Sequence, residues 1–341
     1  MTAFDPDAAS LADSGVFGLE TSEADSKVVL LSVPFEATTS YRGGTSQGPA
    51  AIMEASRQVD LTDLETGRPY AQGIFMRPVN DSVQAISDRA QAAAKPIIEC
   101  GGQIGEDPAL VAALAEVNAA GEAVNDAVYQ SSRALIEQGK IVGIVGGDHS
   151  VPFGSIRAHA EAYGPLGILH LDAHADLRVA YEGFEWSHAS IMERVLALVP
   201  GVHKLVQVGL RDLGGRELER IEADEKIAAY FDPGLAEARL QGRLLNVWDE
   251  VVAQLPERVY CSFDIDGLDP HLCPNTGTPV PGGLDFMEVC FLLRAVVASG
   301  RRIVGFDLCE VAPGADEWDA NVGARLLYKL IGWTLKSQGP Q

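Results

Sequence analysis

Basic residues are scarce in this chain of 341 residues: 26 Lys and Arg stand against 48 Asp and Glu, a formal net charge of -22. A field of that sign repels phosphate backbones and anionic lipid, so nucleic acid and membrane surfaces are excluded as expected partners, and small cations are favoured. Long hydrophobic runs are also missing. The best one, VCFLLRAVVA, is interrupted by Arg294 and falls short of the roughly 20 residues a spanning helix needs. The first ten residues, MTAFDPDAAS, carry two Asp and no basic block ahead of an apolar one, unlike a secretory leader. Cysteine is sparse, with 5 residues, an odd number, widely spaced and without a CxxC pair. That pattern argues against a disulfide frame or a thiolate zinc site and suits reduced thiols in the cytoplasm. No low-complexity tract or short repeat is present. With 47% hydrophobic residues the bulk of the chain has ample material for a core.

Residues 1–26 are polar and read as a loosely held, flexible arm. From Lys27 onward, short apolar runs alternate with segments of helical period. The runs KVVLLSVPF, KIVGIV, LGILHLD, KLVQVGL, IAAYF, RVYCSFDID and RIVGFDL are β-branched or aromatic-rich and lack polar alternation, as strands covered on both faces do. Helical period appears near 48–58, 108–138, 153–163, 189–198, 216–223, 234–254, 285–298 and 319–336. This alternation predicts an α/β fold, a three-layer sandwich with a mostly parallel sheet of about eight strands, in one domain over 27–341. The stretch 60–107 has scattered Gly and Pro and no clear period, and reads as an irregular excursion.

Three clusters lie at the carboxyl ends of expected strands, where open α/β sheets place ligands: GGDHS (146–150), DAHAD (172–176, preceded by His170) and SFDIDGLDP (262–270). Residues i and i+2 of an extended segment point the same way, so Asp172, His174 and Asp176 converge, as do Asp264 and Asp266, while His149 adds an imidazole. Four carboxylates gathered without cations would repel one another, and burying an unpaired charge costs several kcal/mol. Divalent metal compensates. Carboxylate with some imidazole and no thiolate suits Mn²⁺ and its neighbours, Ni²⁺ included, and six such residues serve two ions, a pair that makes hydroxide from water near neutrality. Of the remaining histidines, His159 and His203 read as solvated, His170 as a core residue or a support behind the ligands, and His271 as a residue at the pocket mouth.

GGDHS, DAHAD and SFDIDGLDP resemble the signature motifs of the ureohydrolases, the family of arginases, agmatinases, guanidinobutyrases and formiminoglutamases. The resemblance runs from about Val28 through TSYRGGTSQGPAAI (39–52) to WDANVGARLLYKL (318–330). It implies the arginase-like fold, two Mn²⁺ per chain, and a homo-trimer or homo-hexamer. It makes His149 and Asp176 terminal ligands of one ion, His174 and Asp266 terminal ligands of the other, and Asp172 and Asp264 bridges. His188, in WSHAS, falls where the family has a proton-shuttling histidine. Glu310, in DLCEVAP, falls on the acid that binds the guanidinium, and a carboxylate does match a guanidinium fork bidentately. The implied chemistry is attack of a metal-bridging hydroxide on the guanidinium carbon, with Asp176 passing a proton toward the leaving amine and urea as product.

The substrate's other end is read from fewer residues. TTSYRGGTSQGPAAI and PNTGTPVPGGL are agmatinase-like, whereas YEGFEWSHAS is similar to agmatinase-like plant arginases. Arg178 is either a clamp for a substrate carboxylate or half of a surface or intersubunit ion pair. Trp186, with Phe184, either narrows the pocket or simply packs. Agmatine or a related guanidino compound is the expected substrate, against arginine, guanidine or an alkylguanidine, and a guanidino or formimino acid. Readings from other classes are a metal-dependent amide deacetylase and a non-catalytic subunit of the same fold.

Overall fold

The computed structural model describes residues 5–339; the first four residues of the expected arm lie outside the described residues. The seven apolar runs form strands, and the short segment Ile74–Met76 adds an eighth. In chain order these are β1 (Val28–Val33), β2 (Ile74–Met76), β3 (Ile141–Gly146), β4 (Leu166–Leu171), β5 (Val202–Leu210), β6 (Ile227–Phe231), β7 (Arg258–Asp264) and β8 (Arg302–Cys309). All pair in parallel in the order β2-β1-β3-β8-β7-β4-β5-β6. Among the described residues ten α-helices lie between and after them: α1 (Gly48–Ser56), α2 (Asp81–Glu99), α3 (Pro108–Glu137), α4 (Phe153–Tyr163), α5 (Ile191–Leu198), α6 (Gly215–Ala223), α7 (Asp232–Leu240), α8 (Leu244–Gln254), α9 (Phe286–Ala298) and α10 (Trp318–Lys336).

Alternate residues of each strand feed opposite faces. Val28 and Leu30 join Leu169, Phe263 and Leu308 in one core with Trp248 of α8, Leu292 of α9 and Leu326 of α10. Val29, Leu31 and Val33 turn the other way, to Val83 and Ala90 of α2 and Val117 and Val128 of α3. Further along that second face, Ile168, Leu205 and Tyr260 pack with Ile156 of α4 and Val195 of α5. The result is the three-layer sandwich expected from the alternation.

Four local expectations change. The stretch 60–107, read as irregular, holds β2 and the 19-residue α2. The core face of α2 is Val83, Ser87, Ala90, Ala94 and Ile97, mostly too small to register as an apolar period. Its start is capped by Asn80, whose side chain accepts from Ser82 N–H. The helix expected over 234–254 is two, α7 and α8, parted at Gly242, whose φ of 66° suits glycine. The arm is not loose beyond Ser14. Val16, Phe17 and Leu19 are buried in the first core, Phe17 N–H donates to Ser56 Oγ at 2.9 Å, and the Lys140 ammonium donates to the carbonyls of Glu23, Ala24 and Ser26. Finally, His159 is not solvated but fully buried, because α4 is covered by the sheet on one side and by α3 on the other.

Candidate metal centre and substrate cradle

The strands carrying the three motifs and Glu310 are the four central neighbours, β3, β8, β7 and β4. Their carboxyl ends therefore share one crevice. At the end of β3, Gly147 lets the chain pass close to Phe35, whose carbonyl oxygen lies 2.0 Å from where a β-carbon would stand. Two side chains of the site belong to residues in left-handed backbone: Asp176 at φ 55° and Glu310 at φ 63°. Such strain persists only when the surroundings over-determine it. Asp176 O accepts from Met192 and Glu193 N–H at the start of α5. Glu310 N–H donates to Gly147 O at 2.8 Å, and Glu310 O accepts from Thr276 Oγ1 at 2.8 Å.

All six carboxylate and imidazole residues come together. His149 Nδ1 faces Asp172 Oδ2 and Asp176 Oδ2 at 3.2 Å each and Asp264 Oδ2 at 3.5 Å. His174 Nδ1 faces Asp266 Oδ2 at 3.0 Å and Asp172 Oδ1 at 3.4 Å. Asp172 thus turns one oxygen to each imidazole. Ligand atoms of His149, His170, Asp172 and Asp176 lie within 4.8 Å of one another, as do those of Asp172, His174 and Asp266. His170 supports rather than competes. Gln207 Nε2 donates to its Nδ1 at 2.9 Å, which leaves Nε2–H to donate to Asp172 Oδ2 at 2.9 Å.

The electrostatics show a surplus of negative charge. Burial, then the charges of Asp266 and Asp172, push Asp264 well above the usual carboxylate range. Burial and then Asp172 raise Asp176 to about 6. Burial alone would lower the His149 pKa, but its hydrogen bonds to Asp172, Asp176 and Asp307 hold it well above the ordinary value. Carboxylates crowded into a dry crevice and able to relax only by taking up protons are the donor set that a pair of divalent cations neutralises. The residues fit such a pair.

Glu310 borders this cluster. Its Oε1 accepts the His149 backbone N–H at 2.9 Å, and a β-carbon at Gly277 would stand 3.3 Å from its Oε2, so glycine keeps that oxygen approachable. Burial and the nearby Asp148 raise its pKa strongly, a carboxylate in want of a cation. His188 lies beside the cluster with Nδ1 3.3 Å from Thr38 Oγ1 and its ring edge-on to Tyr181. Burial, then the charge of His174, lowers it to about 4.

Arg178 and Trp186 are placed differently. Arg178 is exposed, with Nε 3.5 Å from Glu217 Oε2 and its guanidinium over the Tyr181 ring at 4.8 Å. Trp186 packs edge-on to Phe153 at 4.9 Å and against Gly121 of α3, and Phe184 is buried in the core under α2 and α3. Both aromatics are packing residues. His271 is exposed and bonded to Asp269. Several supports were not legible beforehand. Ser262 Oγ lies 2.9 Å from His149 Nε2 and donates to Asp307 Oδ1 at 3.1 Å. The signal for Asp307 was a lone acid inside the apolar run RIVGFDL. Glu36 gathers the 39–46 loop through Gly44 N–H, Ser46 N–H and Thr39 Oγ1.

Residues 26–332 match the model of the arginase family. The chain belongs to the arginase family. It is 34% identical to the N(1)-aminopropylagmatine ureohydrolase of Thermus thermophilus, over 93% of this chain and 94% of that one. It is 30% identical to the proclavaminate amidinohydrolase of Streptomyces clavuligerus, over 89% and 87%. Among solved structures, the agmatine ureohydrolase of Thermoplasma volcanium superposes with a TM-score of 0.71 at 24% identity, covering 98% of this chain and 96% of that one, which supports the fold. For this arginase-family member, no helix among the described residues is long and apolar enough to cross a membrane.

Proposed function

We propose that this chain is a ureohydrolase that cleaves the guanidino C–N bond of agmatine or a longer agmatine-type amine, using two divalent cations, Mn²⁺ in the first instance. The observation that carries the reading is Asp172, whose two oxygens face His149 and His174 separately and so tie two ligand groups into one centre. His149, Asp172, Asp176 and Asp264 would hold one ion, and Asp172, Asp264, His174 and Asp266 would hold the other. When bound, the pair lowers the pKa of water toward neutrality and faces the charge that develops on the substrate.

The chain's own groups do the rest. Glu310 holds the guanidinium through a charge-assisted pair in a dry site. Water adds to the guanidinium carbon, the C–N bond to the tail breaks, and the products are urea and the tail's amine. Asp176 accepts the water's proton and passes it to the leaving nitrogen, and His188, half-buried between Thr38 and solvent, exchanges protons with the outside.

An amine tail is favoured over a carboxylate. Arg178, the cation the sequence offers for an acid, is already committed to Glu217 and Tyr181, and the name of the Thermus thermophilus relative points to the same substrate class. We further propose a homo-trimer or homo-hexamer of single catalytic domains (27–341), in the cytoplasm, where its five free cysteines remain reduced. The test is urea release after Mn²⁺ or Ni²⁺ loading, with agmatine, N(1)-aminopropylagmatine, arginine, 4-guanidinobutyrate and guanidine side by side. Urea from the first two supports the reading. Urea from the guanidino acids alone reassigns Arg178 to the substrate, and silence from all five sinks it.

A further inference from the structure

Arg211 follows the last residue of β5, half-buried behind the ligand cluster. Its own N–H donates to Ala173 O at 2.8 Å, which fixes it on the DAHAD segment. Its side chain meets backbone carbonyls from three segments. Nη2 donates to Asp266 O at 2.7 Å, Leu268 O at 3.0 Å and Val280 O at 3.1 Å. Nη1 donates to Gly209 O at 3.0 Å and Gly267 O at 3.4 Å, and Nε to Val280 O at 3.2 Å. Gly283, at φ 107°, makes room: a β-carbon there would stand 2.8 Å from Arg211 Nη2 and 2.7 Å from the Leu268 carbonyl.

The segments so gathered are the loop carrying Asp266 and the loop 274–283. The second loop touches the site at several points. Thr278 Oγ1 donates to Asp266 Oδ2 at 3.1 Å, Thr276 Oγ1 donates to Glu310 O, and Gly277 lies against Glu310 Oε2. We infer that Arg211 is a positioning residue that locks the Asp266 loop to the 276–278 segment, and so sets both the His174–Asp266 half of the metal centre and the guanidinium cradle at Glu310. Its planar fork of five donors can span carbonyls in different segments, which a lysine's compact ammonium cannot. The kinetic part rests on the ureohydrolase reading; the metal part does not.

The experiment compares wild type, Arg211→Lys and Thr278→Val for cations bound per chain against graded free Mn²⁺, and for kcat and KM with agmatine. Arg211→Lys is expected to weaken one of the two cations by roughly 10–100-fold while the other keeps its affinity. Saturating Mn²⁺ is expected to restore most of kcat and leave KM raised, because the displaced loop still faces Glu310. A purely structural staple would lower thermal stability and leave both affinities and KM untouched, and that result overturns the inference. Should Arg211→Lys fail to fold, Thr278→Val removes only the hydroxyl link to Asp266 and must show the same asymmetry in milder form; wild-type binding and KM there overturn it equally. Wild type that binds two cations yet releases no urea from agmatine or any of the other four compounds would sink the ureohydrolase reading while leaving the metal titration decisive for Arg211.

Discussion

Glu310 and Asp172 carry separable parts of the site, and substitutions distinguish them. Glu310→Gln keeps the shape and the acceptor for His149 N–H but removes the charge that meets the guanidinium. We expect about a hundredfold or greater loss in kcat/KM, equivalent to ~3 kcal/mol, with two cations still bound by elemental analysis. Asp172→Asn removes the carboxylate that faces both imidazoles, so bound metal is expected to fall below two per chain and urea release to background. At this scale the sequence was most informative, because strand alternation and donor chemistry are local: spacing grouped Asp172, His174 and Asp176, and likewise Asp264 and Asp266, while strand-end placement and the motif resemblance joined them to each other and to His149. Asp307, Ser262 and Gln207 could not be placed this way, since their roles depend on which strand lies alongside. Ser262 and Asp307 are register partners across β7 and β8.

At the scale of elements, close approaches govern what the helices tolerate. A β-carbon at Gly305 of β8 would stand 2.2 Å from His159 Nε2 of α4, with no solvent route for the ring to move into. Gly305→Ala is therefore expected to cost about 1–3 kcal/mol by overpacking, read as a lower denaturation midpoint at unchanged slope. Helix α2 shows why one element escaped the sequence. Its buried stripe is chiefly alanine and serine, so its period is carried by size rather than hydrophobicity, and it exists because α3 and the β1 face supply the missing surface. The α7–α8 break was hidden for the converse reason: the apolar period continues across Gly242, and only backbone conformation shows that the chain turns.

For the whole molecule, pH and metal are the sensitive variables. Burial lowers the pKa of His159 from 6.5 to about 4. As pH falls below 6.5 the unfolded chain takes up a proton that the folded one refuses until about 4. The contribution is thus fully present above 6.5 and lost between 6.5 and 4, ~3 kcal/mol in all. Chemical denaturation at stepped pH should show a shallower slope in that window for His159→Leu than for wild type; equal slopes would refute the assignment. Chelation should act through the charge surplus of the centre. With the cations removed, the repulsion among the buried carboxylates returns and stabilisation by binding is lost, so we expect a midpoint several degrees lower, restored by Mn²⁺.

The sequence by itself determined the alternation of strand and helix and the placing of carboxylates and imidazoles at strand ends, because these follow from local periodicity, and its three motifs carried the resemblance to the family. Tertiary structure decided that β3, β8, β7 and β4 are neighbours, that Asp176 and Glu310 adopt left-handed backbone, that Arg178 is paired and Trp186 packed, and that Arg211 holds two loops together. Each of those depends on contacts between residues far apart in the chain, and the free energy of such contacts is set by register and burial, which no local pattern encodes.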